Sequence, residues 1–235
     1  MSKQVTAVSL AVSTVIFALR DDDDNGRSSL RIPLVRRIRE PFAGRWALPG
    51  GPIEAAESLG EAAGRNLLDT TGLEPTYLEQ LYAFGDVERS AGERVVSIVY
   101  WALVRPAEAD RATVGDNVRW FPADELPELA FDHNEIVAYA LWRLRTKLEY
   151  SRIAHAFIGE TFTIAELRGV HEAILQRELD PANFRRQVEG SLVPTGHVVT
   201  GGRHRPPRLY RYNETVELVD NGPLNHTAGS HRVVD

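Results

Sequence analysis

The chain has 235 residues, 43% of them hydrophobic, and a formal net charge of −6 at pH 7. This apolar content excludes an intrinsically disordered protein, and the length allows one large domain or two small ones. The absence of cysteine excludes disulfides, thiolate metal sites and cysteine nucleophiles, and it favours a cytoplasmic location. No apolar run approaches the roughly 18 residues of a membrane span, so no membrane partner is expected.

The charge is distributed unevenly along the chain. Residues 1–150 hold 17 Lys and Arg against 23 Asp and Glu, whereas residues 151–235 hold 10 of each. Within the second part, residues 177–211 have seven Arg against three acidic residues. An acidic part joined to a part with a local basic face indicates two functions in one chain.

The first elements predicted along the chain are two strands and a helix. Val5–Leu19 predicts a long strand, Asp21–Gly26 a polar turn and Leu30–Arg37 the returning strand. After Gly51 the apolar spacing becomes helical, and Gly72 is placed to end the helix. The side chains expected on the buried face of this helix are Ile53, Leu59, Ala63, Leu67 and Leu68.

The next segments complete a mixed pattern of strands and helices. Strands are predicted at Tyr77–Phe84, Arg94–Val104 and Val118–Phe121, followed by a helix at Asn134–Leu148. Strands on both sides of helices favour an α/β sandwich. We expect residues 1–148 to form this first domain.

The organisation changes near Glu149. The predicted order there is a short helix at Ser151–Ile158, helices at Ile164–Gln176 and from Pro181 to about Glu189, and a hairpin of Val193–Thr200 and Arg208–Tyr212 around the loop Gly201–Pro207. Thr163 and Glu166 predict a capping box for the second helix, and Asp180 predicts an N-cap for the third. We expect residues 149–220 to form a second domain and residues 221–235 a disordered tail.

The segment PGGPIEAAESLGEAAGRNLLDTTGL (49–73) resembles a Nudix box, the pattern G-x5-E-x7-R-E-U-x-E-E-x-G-U in which U is aliphatic. The matching positions are Gly51, Glu57, Arg65, Leu67, Gly72 and Leu73. The resemblance implies a Nudix-like α/β/α sandwich, in which Arg65 braces carboxylates; by spacing alone Arg65 could instead pair with Glu61. The three carboxylates of R-E-U-x-E-E correspond to Asn66, Asp69 and Thr70.

Two of these three box positions are therefore neutral. Positions 66, 69 and 70 share one helical face, where carboxylates would hold divalent cations that bridge diphosphate oxygens and generate hydroxide. Because Asn66 and Thr70 cannot replace those carboxylates, we expect no catalytic residues, no bound metal and no enzyme activity. The alternative is an active hydrolase of nucleotide diphosphates in which Glu57, Glu61 and Asp69 retain Mg²⁺.

A box without its metal centre can still bind a nucleoside diphosphate derivative. Guanidinium groups match phosphate oxygens, and the candidate residues before the box are Arg36, Arg37, Arg39 and Arg45. The aromatic candidates for stacking on adenine are Trp46, Tyr82 and Phe84, and Gly50 and Gly51 complete the predicted ligand site. The alternatives are a solvated edge strand for the arginines and a simple turn for the glycines.

The stretches DPANFRRQVEGSL (180–192) and GGRHRPPRLYRY (201–212) have the layout of a winged helix-turn-helix. Phe184 and Val188 would anchor the recognition helix inward. The candidate DNA contacts are Asn183, Arg185, Arg186 and Gln187 on this helix and Arg203, His204, Arg205 and Arg208 on the wing. The alternative is a charged helical domain used for dimerisation or for contact with another protein.

Taken together, the halves resemble the Nudix-related transcriptional regulators of NAD metabolism, the NrtR family. The resemblance also rests on FTIAELRGVHEAIL (162–175) and NFRRQV (183–188). It implies a repressor that senses ADP-ribose or a related NAD-derived nucleotide, requires no cofactor, and binds operators of NAD synthesis or salvage genes. We expect a homodimer on a near-palindromic duplex operator, with ligand changing the domain orientation through the helix Asn134–Leu148.

Overall fold

A computed structural model describes residues 7–21, 28–75, 77–90, 93–112, 115, 117–199 and 206–213. The predicted tail 221–235, most of the turn Asp21–Gly26 and the wing tip with Arg203, His204 and Arg205 lie outside these residues. In the described part, no helix is long and apolar enough to cross a bilayer.

The described part of the chain contains nine strands and six α-helices. The strands are β1 Ser9–Asp21, β2 Ser28–Arg36, β3 Trp46–Ala47, β4 Gly50–Pro52, β5 Tyr77–Phe84, β6 Val95–Val104, β7 Val118–Pro122, β8 Leu192–Val198 and β9 Arg208–Tyr212. The helices are α1 Leu59–Thr71, α2 Pro106–Ala109, α3 His133–Tyr150, α4 His155–Ile158, α5 Ile164–Leu175 and α6 Pro181–Val188.

The first seven strands form one mixed sheet around β1. The strand order is β3-β2-β1-β6-β5, with β4 also paired to β1 and β7 to β2. β1 runs parallel to β6, from the pair Ser9 and Val95 to the pair Ala18 and Val104, and antiparallel to β2 and β4. Eight consecutive residues of β1, from Val12 to Leu19, are buried, as expected for a central strand covered on both faces.

The alternation of side chains along β1 divides the core into two layers. Phe17 faces a cluster that contains Trp101 and residues of helices α3 and α5, whereas Ile16 faces a cluster that contains Leu67 of helix α1. Helices therefore cover both faces of the sheet. This arrangement confirms the predicted α/β/α sandwich.

The carboxy-terminal part forms the predicted winged helix. Helices α4, α5 and α6 are followed by the antiparallel hairpin of β8 and β9, and Phe162 forms an isolated β-bridge with Tyr210 of the hairpin. One hydrophobic cluster contains Phe17 and Ile136 as well as Ile174 and Phe184, so the core continues from the first part of the chain into the second.

Two local predictions are wrong. The helix predicted at Ser151–Ile158 begins only at His155, because Ser151 is extended and its Oγ accepts a hydrogen bond from Ile153 N at 3.2 Å, which competes with helical pairing. Leu68 is 41% exposed. Ala63 and Leu67 are buried as predicted, but Ile53 lies before the helix, and the buried face also includes Asn66 and Thr71.

Candidate functional site

The two glycines at the start of the box lie in close contact with neighbouring elements, Gly50 with the backbone of β1 and Gly51 with a side chain of α1. Strand β4 lies beside β1, and a Cβ atom on Gly50 would come within 2.3 Å of Val12 O. A Cβ atom on Gly51 would lie 2.3 Å from Asn66 Oδ1, so β4 also packs directly on helix α1. Both glycines therefore have a structural role, and their contact with a ligand stays a prediction.

Helix α1 begins and ends with strong local signals. The Ser58 side chain accepts a hydrogen bond from Glu61 N, and the Glu61 carboxylate accepts one from Ser58 N at 2.8 Å. Gly72 ends the helix with a φ of 69°, in the left-handed region that favours glycine. Glu61 is thus occupied by the capping box, and the pairing of Arg65 with Glu61 considered from spacing alone is wrong.

Arg65 instead gathers the other carboxylates of the box. Its Nε and Nη2 donate to the two oxygens of Glu57 at 2.9 and 2.6 Å, and the guanidinium also lies 3.7 Å from Glu54 and 3.9 Å from Asp69. The hydrogen bonds from Arg65, and then from Glu54 N, lower the pKa of Glu57 to about 2. The expected bracing role of Arg65 is therefore realised at Glu57.

Asn66 and Thr70 make their hydrogen bonds within helix α1. Asn66 is buried and its Nδ2 donates to Ala62 O at 2.8 Å, while Thr70 Oγ1 donates to Asn66 O at 2.6 Å. Among the residues that the structure describes, no group of three or more His, Cys, Asp or Glu could hold a metal ion. These donors do not fit the divalent cations that a Nudix box implies.

The predicted phosphate-binding arginines surround the loop between β2 and β3. Arg36 and Arg37 donate to the loop carbonyls of Gly44 and Pro41, at 3.2 and 2.9 Å. Arg45 pairs with Glu128 at 2.6 Å, and this Glu128 carboxylate is largely exposed. The structure thus places Arg36, Arg37 and Arg45 around this loop, and the fourth candidate, Arg39, is exposed on it.

Phe42 and Phe131, which the sequence analysis did not identify, pack against the guanidinium groups of these arginines. The Arg37 guanidinium lies 4.6 Å from the Phe131 ring centre, and the Arg45 guanidinium lies 5.3 Å from that of Phe42. The two rings pack edge to face at 5.0 Å. Phe42 and Phe131 have φ values of 69° and 56°, a strained conformation for bulky side chains that no sequence pattern indicates.

The predicted stacking residues fall into two groups. Trp46 packs edge to face against Phe121 at 5.1 Å, beside the arginine loop. Phe84 instead contacts Tyr82 and Tyr139, with ring centres 5.7 and 6.0 Å apart, on the side of the sheet covered by α3. Trp46 is the better placed of the two to act together with the arginines.

A buried histidine joins the arginine loop to helix α3. His133 Nδ1 accepts a hydrogen bond from Leu48 N at 2.9 Å, and burial lowers the pKa of His133 to about 4. The preceding residue, Asp132, binds Arg89 through two hydrogen bonds of 2.7 and 2.8 Å. The start of α3 is therefore held by two long-range polar contacts that the sequence does not reveal.

The depressed pKa of His133 predicts an acid-sensitive fold. Unfolded chains bind the proton near pH 6.5 and the native state only near pH 4, so stability falls as the pH decreases through this window, by roughly 3 kcal/mol for a shift of this size. His133→Asn keeps an acceptor near Leu48 N and removes the titration. We expect urea unfolding between pH 7 and 4 to show a shallower loss of stability in this variant, whereas exposed His197→Asn should follow the wild type. An equally steep loss in His133→Asn would contradict the assignment.

The recognition helix α6 exposes its polar face as predicted. Asp180 Oδ1 accepts a hydrogen bond from Asn183 N at 2.8 Å, and Phe184 is buried against His171 of α5 with ring centres 5.0 Å apart. The exposed residues of α6 include Asn183, Arg185, Arg186 and Gln187. Arg186 donates to Asn183 Oδ1, and Arg185 lies 3.6 Å from Glu189, so these side chains are partly ordered in advance.

The base of the wing lies beside the recognition helix. Arg208 is exposed at the start of β9, opposite Val198 of β8. A cavity of about 500 Å³ separates the wing from the helices, and Arg185, Pro207, Arg208 and Tyr210 are among its lining residues. Two predicted DNA-contact residues, Arg185 and Arg208, therefore line one cavity.

Comparison with protein families identifies both parts of the chain. A model described as the NUDIX domain matches residues 10–140, and a model described as the NrtR DNA-binding winged helix domain matches residues 154–212. Together they span the sandwich and the winged helix described above.

Two relatives match this chain. It is 31% identical over 210 residues to the ADPR responsive transcriptional repressor NtrR of Acinetobacter baylyi, an alignment that covers 86% of this chain and 81% of that protein. It is 34% identical over 114 residues to the ADP-ribose pyrophosphatase of Methanocaldococcus jannaschii, over 48% of this chain and 68% of that enzyme. The repressor alignment therefore includes both halves, whereas the enzyme alignment covers only about half of the chain.

Solved structures show the same architecture. Shewanella oneidensis NrtR complexed with a 27mer DNA superimposes with a TM-score of 0.71 and 34% identity, covering 87% of this chain and 93% of that one. The NUDIX domain of the same protein complexed with ADP ribose gives a TM-score of 0.50 and 35% identity, over 59% of this chain and 90% of that one. With its Nudix domain, its winged helix and this likeness over most of its length, the chain belongs to the NrtR family.

Proposed function

We propose that this chain is a transcriptional repressor of genes for NAD synthesis or salvage, which binds duplex operator DNA through its winged helix in the cytoplasm. Its effector is ADP-ribose or a related NAD-derived nucleotide, bound by the Nudix half without turnover. Binding of the effector weakens DNA binding.

This proposal rests on which residues occupy the Nudix box and which hydrogen bonds they make. Asn66 and Thr70 bond to their own helix, and Arg65 neutralises Glu57, so the carboxylates that hydrolysis requires are absent or already paired. The scaffold around them is nevertheless intact, with Gly50 and Gly51 packed as closely as the fold allows. A Nudix scaffold without its metal ligands is suited to recognition rather than to hydrolysis.

The likeness to known proteins supports both ligands. The Acinetobacter relative is described as an ADPR responsive transcriptional repressor, and the Shewanella protein has been crystallised with DNA and, as its NUDIX domain, with ADP ribose. In our proposal the arginine loop with Arg37, Arg45 and Trp46 binds the nucleotide, since guanidinium groups and an aromatic ring are the groups that a diphosphate and an adenine require.

The proposal also includes the geometry on DNA. A homodimer would place two α6 helices in successive major grooves, about 34–36 Å apart, on a near-palindromic operator. The basic face of α6 and the wing would supply the phosphate contacts, which makes binding salt-dependent.

The test is a fluorescence anisotropy titration of a labelled duplex taken from upstream of NAD synthesis genes, with and without ADP-ribose. We expect tight, salt-sensitive binding to this duplex, weaker binding to a scrambled duplex, and loss of affinity when ADP-ribose is added. Equal affinity for both duplexes would remove the regulator function.

The second candidate function is hydrolysis of ADP-ribose, which the match to an ADP-ribose pyrophosphatase favours. It requires Glu57, Glu61 and Asp69 to hold Mg²⁺ although Glu57 and Glu61 are bound by Arg65 and Ser58. The same protein sample decides between the two functions. Magnesium-dependent release of AMP from ADP-ribose would establish the enzyme, and its absence is the result we expect.

A further inference from the structure

One side chain, Arg145 of helix α3, connects the Nudix half to the winged helix. Its Nη2 donates to both carboxylate oxygens of Asp124, at 2.7 and 2.8 Å, and its Nε donates to Ile174 O at 2.9 Å. Asp124 lies in the loop after β7, and Ile174 lies in the last turn of α5. A single planar guanidinium is thus hydrogen-bonded to one residue of each half, and this fixes the positions of Asp124 and Ile174 relative to each other.

The contact with α5 is made at the end of that helix. The last carbonyls of a helix have no partner within it, and α5 ends at Leu175, where Gln176 turns away with a φ of 55°. Arg145 supplies a donor, and its positive charge lies at the negative end of the helix dipole. Ile174 is fully buried, so the last turn of α5 is anchored in the core as well as bonded to Arg145.

Helix α5 in turn determines the position of the recognition helix. His171 of α5 packs against Phe184, the buried anchor of α6. Glu172 of α5 accepts a hydrogen bond from Leu179 N at 2.8 Å in the turn that leads into α6. A displacement at the carboxyl end of α5 therefore reaches α6 through both contacts.

The other partner of Arg145 belongs to a loop that reaches the arginine cluster. Residues 123–132 carry Asp124 near one end, while Glu128 pairs with Arg45 and Ala130 N donates to Trp46 O at 2.8 Å. A cavity of about 560 Å³, lined by Asp124 and Arg145 among others, opens beside the contact. The side chains of Asp124 and Arg145 therefore border open space, whereas Ala123, Leu129 and Ala130 of the same loop are buried.

We propose that Arg145 is the positioning residue that couples nucleotide binding in the Nudix half to the orientation of the recognition helix. The inference rests on the proposed function, because it requires both a nucleotide and a DNA ligand. A nucleotide that displaces the loop 123–132 changes the Asp124–Arg145 contact, and with it the end of α5 and the position of α6. Coupling of this kind is reciprocal between the two ligands.

The quantity that tests the proposal is the ratio of the DNA dissociation constants with and without saturating ADP-ribose. We expect Arg145→Met and Asp124→Asn to bind DNA alone, and ADP-ribose alone, with affinities within about threefold of the wild type. The ratio should fall in both variants to less than about twofold, from the roughly 5- to 150-fold of ordinary allosteric coupling. Arg143→Met is the matched control, since Arg143 lies on the same helix and bonds to neither Asp124 nor Ile174. A merely structural role would weaken DNA binding without changing the ratio.

The outcomes are distinguishable. If the wild type shows a clear ratio and Arg145→Met and Asp124→Asn retain it, the inference is overturned and the proposed function stands. A collapse in Arg143→Met as well would also overturn it, because the effect would then belong to the whole helix. If ADP-ribose leaves the wild-type DNA affinity unchanged, the proposed function fails and this inference with it. Should Arg145→Met fold poorly, Asp124→Asn decides the question alone, since it keeps the size of the side chain but removes its charge and replaces one acceptor oxygen by an amide NH2 group.

Discussion

Replacement of both exposed arginines of the recognition helix, Arg185→Ala with Arg186→Ala, is expected to abolish operator binding and leave nucleotide binding unchanged. Each arginine contact with a base or phosphate contributes about 1–3 kcal/mol, so each single variant should lose roughly 5- to 150-fold in affinity. Neither side chain is buried, and Phe184 keeps the helix anchored, so the fold should persist. Anisotropy with operator DNA and calorimetry with ADP-ribose measure the two affinities.

The salt dependence of these variants separates the kinds of contact. Loss of a phosphate contact lowers the slope of log affinity against log salt by about one and weakens all duplexes alike, whereas loss of a base contact relaxes sequence preference. Arg111→Ala, which removes the same charge from an exposed turn of the Nudix half, is the control. Unchanged DNA binding in the double variant would assign α6 to contact with another protein, the alternative that the sequence left open.

Glu79→Ala is expected to be strongly destabilising, because it breaks a buried ion pair. Lys147 of α3 is almost fully buried, and its Nζ donates to Glu79 at 2.6 Å and to Tyr77 Oη at 2.9 Å. Removing the carboxylate leaves a buried ammonium without its counterion, which costs about 3–5 kcal/mol and lowers Tm by roughly 6–20 °C in a chain of this size. Thermal unfolding followed by circular dichroism measures the change.

Two further variants show whether burial is the cause. Glu128→Ala removes a carboxylate whose side chain is 77% exposed, and loss of such a surface pair costs less than about 1 kcal/mol. Glu79→Leu combined with Lys147→Met replaces both charges by apolar groups and should recover most of the stability. A large loss in Glu128→Ala, or none in Glu79→Ala, would mean that the buried pair does not account for the stability of α3.

Local signals in the sequence predicted most of the architecture. The long amino-terminal strand, the capping box of Thr163 and Glu166 and the Asp180 cap of α6 depend on neighbouring residues only, and all three are present in the structure. A further local signal was overlooked: Ser58 and Glu61 have the spacing of a capping box. That spacing would have assigned Glu61 to the start of α1 rather than to Arg65.

Contacts between distant residues could not be predicted in this way. Arg145 and Asp124 lie 21 positions apart, and Lys147 and Glu79 lie 68 apart, so their pairing depends on how the helices pack on the sheet. The same holds for Phe42 and Phe131, whose backbone strain is imposed by the loops that bring their rings together. The candidate nucleotide site consists mostly of such contacts. For this reason its arginines could be named from the sequence, but the two phenylalanines that pack against them could not.

Arg65 serves as a counterion for carboxylates of the Nudix box, and this counterion is part of the chain. A magnesium ion held by carboxylates can be diluted, chelated or exchanged for another metal, whereas a guanidinium attached to the chain cannot. Arg65 pairs closely with Glu57 and lies within 3.9 Å of Glu54 and Asp69, so one of these three negative charges is compensated whatever the divalent cations in solution. The charge of Glu57 is therefore balanced by a group of the chain itself, and this pairing would not depend on the magnesium concentration around the protein.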